Sequence, residues 1–192
     1  MISRFFFILA IGLLSNVAIG QSVGLGIKGG LNLADIRGDD DNDVRTNFHF
    51  GAFGQIGITD KLFVQGDALV SGQGHDPKTD LDSELKLLYL NVPVVVGLEF
   101  AEIVNVHAGP QFGFLLAADA EFQGEEFDVK DGFKSTDLSI VVGGGIEILD
   151  KVTAGVRYIH GISNISESDN PGDRMNSVIQ VSVGFKLISV GR

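Results

Sequence analysis

The chain has 192 residues, a formal net charge of −11, 26 glycines, four prolines and no cysteine. That length suits one domain with a sizeable core. The missing cysteine excludes disulfides, thiolate metal centres and a lipidated cysteine, and the lack of any basic cluster excludes nucleic acid as a partner.

In chain order, the first segment predicts an export signal. Met1 to Arg4 is a short positive start, Phe5 to Leu14 an apolar run, and Ala18-Ile19-Gly20 supplies the small residues before a cleavage point at Gln21. The apolar run is too short to anchor as a helix, which needs about 20 residues, and Ser15 and Asn16 interrupt it. Residues 1–20 are therefore expected to be a cleaved signal peptide, and 21–192 one domain. No later stretch is apolar over 18 residues.

Eight strands are predicted beyond the signal: Ser22–Ala34, Asn47–Ile58, Leu62–Ser71, Leu87–Glu99, Val104–Ala117, Asp137–Ile148, Val152–Ile162 and Ser177–Leu187. Asp60-Lys61, Phe100–Ile103 and Leu149–Lys151 read as tight turns. Asp35–Thr46, Gly72–Lys86, Ala118–Thr136 and Ser163–Asn176 read as long loops. Strands of ten or more residues with connections alternating between short and long predict an up-and-down transmembrane β-barrel, whose strands need about 9–11 tilted residues per crossing. An even strand count puts both ends of the mature domain on the short-turn, periplasmic side. The expected fold is all-β, an eight-stranded antiparallel up-and-down barrel behind a cleaved signal peptide.

Side-chain parity sharpens this. Successive residues of a strand point to opposite faces, so one face is even-numbered in the first and last strands and odd-numbered in the other six. Of sixteen strongly polar residues away from the rims, fifteen share that face: Lys28, Asn32, His49, Gln55, Gln65, Asp67, Asn91, Glu99, Asn105, His107, Gln111, Glu147, Arg157, Gln180 and Lys186. His160, near a loop, is the exception. The opposite face carries rows such as Leu90-Val92-Val94-Val96 and Ile179-Val181-Val183-Phe185.

Alternation alone does not say which face is outside. A soluble, lipocalin-like barrel would turn the polar face to water, but soluble exteriors carry about 25–35% charged residues. Here that face holds Lys28, Asp67, Glu99, Glu147, Arg157, Lys186 and little other charge. Three positive and three negative groups suit a narrow lumen, where buried charges need partners. The polar face is expected inside and the apolar face against lipid, because a lipid-facing Lys or Arg at midplane costs about 2–4 kcal/mol.

Other groups invite chemistry. Asp39, Asp41 and Asp43 match the start of a calcium loop, but Val44 stands where glycine is needed and Phe50 where the closing glutamate belongs. Asp39, Asp40, Asp41 and Asp43 are thus read as a solvated acidic loop that could contact cations or a partner. The four long loops together hold 18 of the 25 acids against seven bases, so the loop end is strongly anionic. His49 and His107 share the inward face and are expected to be hydrogen-bonded rather than metal ligands, with no metal site predicted. His160 and Ser163 have an odd separation, so in an unbroken strand they face apart and do not form the base and nucleophile that hydrolysis requires. Arg157 is expected to pair with Asp67 or Glu147.

Five pieces of the chain resemble the PorT-like outer-membrane β-barrel proteins: GIKGGLNLADI at 26–36, FVQGDALVSGQG at 63–74, LYLNVPVVV at 88–96, HAGPQFGFLL at 107–116 and VRYIHGISNI at 156–165. The Tyr-Leu-x-Val-Pro phrase from Tyr89 to Pro93 and the Gly109-Pro110 pair are the most specific. The resemblance implies an integral outer-membrane barrel of eight strands, generally without an assigned activity, and for PorT itself a link to protein secretion. Such barrels commonly end in an aromatic residue read by the assembly machinery. This chain ends Leu187-Ile188-Ser189-Val190-Gly191-Arg192, leaving Phe185 or Leu187 for that role. The expected function is a non-enzymatic, cofactor-free structural or interaction protein, in contact with outer-membrane lipid and an envelope or secretion partner. A narrow pore for small solutes is the alternative, and a lipid acyl hydrolase using Ser163 a more distant one.

Overall fold

Strands that are polar on one face and apolar on the other must hide one face, and closing the sheet on itself does so without leaving edges. The computed structural model describes residues 22–37, 42–77, 84–100, 103–122, 125–148, 151–166 and 174–191. The predicted signal segment and the acids Asp39, Asp40 and Asp41 lie outside them. The strands are β1 (Val23–Arg37), β2 (Asn42–Gly57), β3 (Leu62–Pro77), β4 (Glu84–Phe100), β5 (Val104–Phe122), β6 (Glu125–Asp128), β7 (Thr136–Ile148), β8 (Val152–Gly161) and β9 (Met175–Val190). Each long strand pairs antiparallel with the next, β5 pairs with β7, and β9 returns to β1, so eight strands close a barrel. The four-residue β6 stands outside the ring and folds back on β5.

The strands correct the expected boundaries at the long-loop end. Residues 72–77, within the predicted Gly72–Lys86 loop, continue β3, with Gly72–His75 pairing Leu85–Leu88. Parts of the other three predicted loops are likewise strand: β1 runs on to Arg37, β2 starts at Asn42, β5 reaches Phe122 and β9 begins at Met175. The outer face of these extensions carries polar groups such as Asp35, Arg37 and Lys86, because they rise past the band where lipid demands an apolar wall, while Ile36, Leu85 and Ala118 fill the inside.

Parity is otherwise kept. Buried side chains are even-numbered in β1 and β9 and odd-numbered through most of the other long strands, while Leu31, Phe50, Val96, Phe112, Val142, Val156 and Val183 are exposed on the outer wall. One irregularity, between Leu88 and Tyr89 against β5, reverses the phase there: Leu115 and then Ala118 face inward.

An eight-stranded barrel has an interior just wide enough for side chains to fill. At the short-turn end the rings of Phe53 and Phe63 lie inward over glycines: a Cβ at Gly26 would run into Phe53, and one at Gly97 into Phe63. Polar layers follow, then an apolar cluster of Ala34, Val95, Val141, Ile159 and Val178. At the long-loop end Ile36, Leu85, Leu87, Tyr89, Leu115, Ala118 and Ile165 form a second apolar cluster, with Val129 and Phe133 packed on it.

Candidate functional site in the barrel lumen

The lumen is organised around Asp67, which β3 projects inward between β1 and β8. Its Oδ2 accepts from Lys28 Nζ at 2.9 Å and from Arg157 Nη1, while Gln65 Nε2 donates to Oδ1 at 2.6 Å. The Arg157 and Asp67 side chains are 5% and 1% exposed. At that depth a lone carboxylate would carry a desolvation cost of several kcal/mol, which the two cations and the amide offset. Lys28 also lies over the Phe53 ring, 5.4 Å from its centroid. Arg157 Nε donates to His107 Nε2 at 2.9 Å, which leaves His107 Nδ1 to donate to Asn105 Oδ1 at 2.9 Å.

Of the two partners expected for Arg157, the structure gives it Asp67; Glu147 instead accepts from Lys186 Nζ. Glu99 takes a long contact from Gln55 Nε2 at 3.4 Å and no cation among the described residues. The six lumen charges therefore form one buried triad, one pair near the short turns and one carboxylate at the mouth.

A second polar layer centres on Asn32. It donates to Ser71 Oγ and the Gly72 carbonyl, and accepts from Gln180 Nε2 at 3.1 Å and from His49 Nδ1 at 2.9 Å. His49 Nε2 then accepts from Ser182 Oγ at 3.1 Å. Both nitrogens of each lumen histidine are thus occupied, and among the described residues no group of three His, Cys, Asp or Glu could hold a metal ion.

Near the long loops, Asp137 is buried without a cation among the described residues; Ser139, Ser163 and Asn176 donate to its two oxygens. Ser163 Oγ also accepts from the Leu138 amide at 2.8 Å, whereas His160 Nδ1 lies 3.4 Å from the Tyr158 hydroxyl on the outer wall. Ser163 and His160 do not make the hydrogen bond that a nucleophile and base need.

The most specific sequence phrases occupy structural positions. Tyr89 is fully buried in the long-loop cluster. Pro110 lies within, and Pro93 borders, an interruption of the β4–β5 ladder, whose pairing passes from Pro93–Gln111 to Val96–Ala108. Proline lacks the N–H that a ladder requires, and the strands approach so closely there that a Cβ at Gly109 would meet the Val94 carbonyl. Of the acidic loop, Asp43 lies in β2 opposite Asp76. Farther along the loop end, Lys86 bridges Glu121 and Glu126, tying β4 to the β5–β6 hairpin.

Residues 5–186 match the family described as outer membrane protein beta-barrel domain. The chain belongs to this family. Among solved structures, Neisserial surface protein A shares the fold with a TM-score of 0.56 at 12% identity, covering 88% of this chain and 99% of that one. Ail, the attachment invasion locus protein of Yersinia pestis, gives 0.51 at 15% identity over 88% and 100% of the two chains. No curated protein sequence matches. The family places this barrel in the outer membrane, its apolar wall against lipid and its polar face within.

The residues that parity reasoning did not single out are Phe53 and Phe63, which face inward near the short turns, and the Asp137 cluster at the opposite rim. Each aromatic lies at the parity of the polar row, and a glycine stands where the neighbouring wall must make room. That pairing was the available signal.

Proposed function

We propose that this barrel is an interaction protein of the cell envelope, exported by a cleaved signal at residues 1–20, with a lumen that conducts nothing and a loop end that meets a basic partner. The observation carrying the proposal is the filled lumen. Two apolar clusters and the hydrogen-bonded layers around Asp67 and Asn32 occupy the interior, so the barrel serves as a rigid mount for its loops. The loop segments hold most of the chain's acids, and a surface of one sign selects partners of the other and speeds their encounter. The structure of Ail in complex with the heparin analogue sucrose octasulfate has a polyanion on that protein; the acidic loops here favour the opposite charge. The Tyr89–Pro93 and Gly109-Pro110 phrases fit a PorT-like member of the family, with a secretion complex as the partner class. The chain performs no catalysis in this reading and uses no cofactor.

Two measurements test it. In planar bilayers the purified barrel gives no steady conductance, whereas the alternative of a narrow pore for small solutes gives discrete steps. Crosslinking through the loops in intact cells captures an envelope protein with a basic surface, and loss of that product on charge reversal of the loop acids supports the electrostatic basis. Capture that persists after reversal refutes it.

A further inference from the structure

Between the Lys28–Asp67–Arg157 layer and the short turns, the lumen contains a cavity with about 60 Å³ open to water, lined by Lys28, Arg157, His107, Gln55, Glu99 and Glu147 among others. A single water needs roughly 10–15 Å³ on this measure, so the space holds several waters or one small solute. Its floor is donor-rich. An ammonium carries three donors and a guanidinium five, yet only three of these are bonded among the described residues: Lys28 Nζ and Arg157 Nη1 to Asp67, and Arg157 Nε to His107. Two cations share a single carboxylate there. The unbonded donors belong to residues that line the cavity.

Its mouth has the opposite character. Glu99 and Glu147 are the penultimate residues of β4 and β7, beside the short turns, and the Glu147 side chain is 30% exposed. An entering solute passes the uncompensated Glu99 carboxylate and the Lys186–Glu147 pair before it reaches the cationic floor. Polyanions are repelled at that mouth, while a compact acceptor with one negative charge gains charge-assisted hydrogen bonds at the floor.

We propose that this vestibule is a binding site for a small monovalent anion of formate or chloride size, held by the spare donors of Lys28 and Arg157 and admitted past Glu99. The site opens on the short-turn end and does not require a path through the barrel, so it stands apart from the loop-borne function proposed above.

The test titrates sodium formate into the folded full-length barrel in detergent, with histidines labelled with nitrogen-15 and ionic strength held constant with sulfate. The expected result is a saturable shift of the His107 ring signals, while those of His160 on the outer wall stay fixed. Glu99→Gln tightens formate several-fold by removing the charge at the mouth, and Lys28→Met abolishes saturation. Chloride that displaces formate assigns the site to small monovalent anions in general; chloride without effect assigns it to carboxylates. Shifts that remain linear in formate, that His160 shares, or that Glu99→Gln leaves unchanged overturn the proposal, and the Glu99 variant decides the matter even if Lys28→Met fails to fold.

Discussion

Replacing Arg157 with alanine removes one of the two cations on Asp67 and the donor to His107 Nε2. Truncating one partner of a buried pair costs about 3–5 kcal/mol, because the remaining charge is left under-compensated in a medium that solvates it poorly. Lys28 stays bonded to Asp67 at 2.9 Å, which places the expected loss toward the lower figure. For a chain of this size about 3 kcal/mol lowers an unfolding midpoint by roughly 6–12 °C. The assay is the change in gel mobility between folded and heat-denatured barrel, followed across a temperature series, with urea unfolding in detergent as the equilibrium measure. Lys28→Ala is the internal comparison: it leaves the Arg157–Asp67 bond intact and destabilises less. A shift below about 1 kcal/mol for Arg157→Ala, within the range of exposed ion pairs, refutes the reasoning that the triad is a desolvated core element.

Gly97→Val places a side chain against the Phe63 ring; overpacking of this kind costs about 1–3 kcal/mol, and Phe63→Leu in the same chain recovers part of it, measured by the same urea titration. Val181→Arg sets a guanidinium on the outer wall of β9, where Val181 is 48% exposed. In lipid vesicles that substitution lowers stability by about 2–4 kcal/mol if the site is near midplane. The same change at a residue of the loop-end hairpin such as Phe127, which is 51% exposed, leaves stability within about 0.5 kcal/mol.

The parity of the strands was legible because two solvents enforce it. A charged residue against lipid costs more than most single mutations, so fifteen polar side chains share one face over the apolar band. Past that band the constraint ends, which is why Gly72–His75 and Ala118–Glu121 read as loop although both are paired in strands. The apolar plug was hidden for a different reason: Leu85, Leu87, Leu88 and Leu90 are apolar at both parities, so alternation cannot tell lumen from lipid there, and Ile165 reaches the plug from a loop. The lumen partners were half legible. Sequence limits Arg157 to an inward carboxylate, but the choice of Asp67 over Glu147 depends on barrel stagger, which sets which strands' residues share a level.

The orientation of the two faces underlies all of this, and β9 tests it most directly. Because the natural chain has no cysteine, single cysteines introduced in turn from Val178 to Phe185 can carry a spin label in lipid vesicles. The account predicts oxygen accessibility that alternates residue by residue, high at 179, 181, 183 and 185 and low at 178, 180, 182 and 184. Accessibility of the opposite phase, or without a period of two, contradicts it.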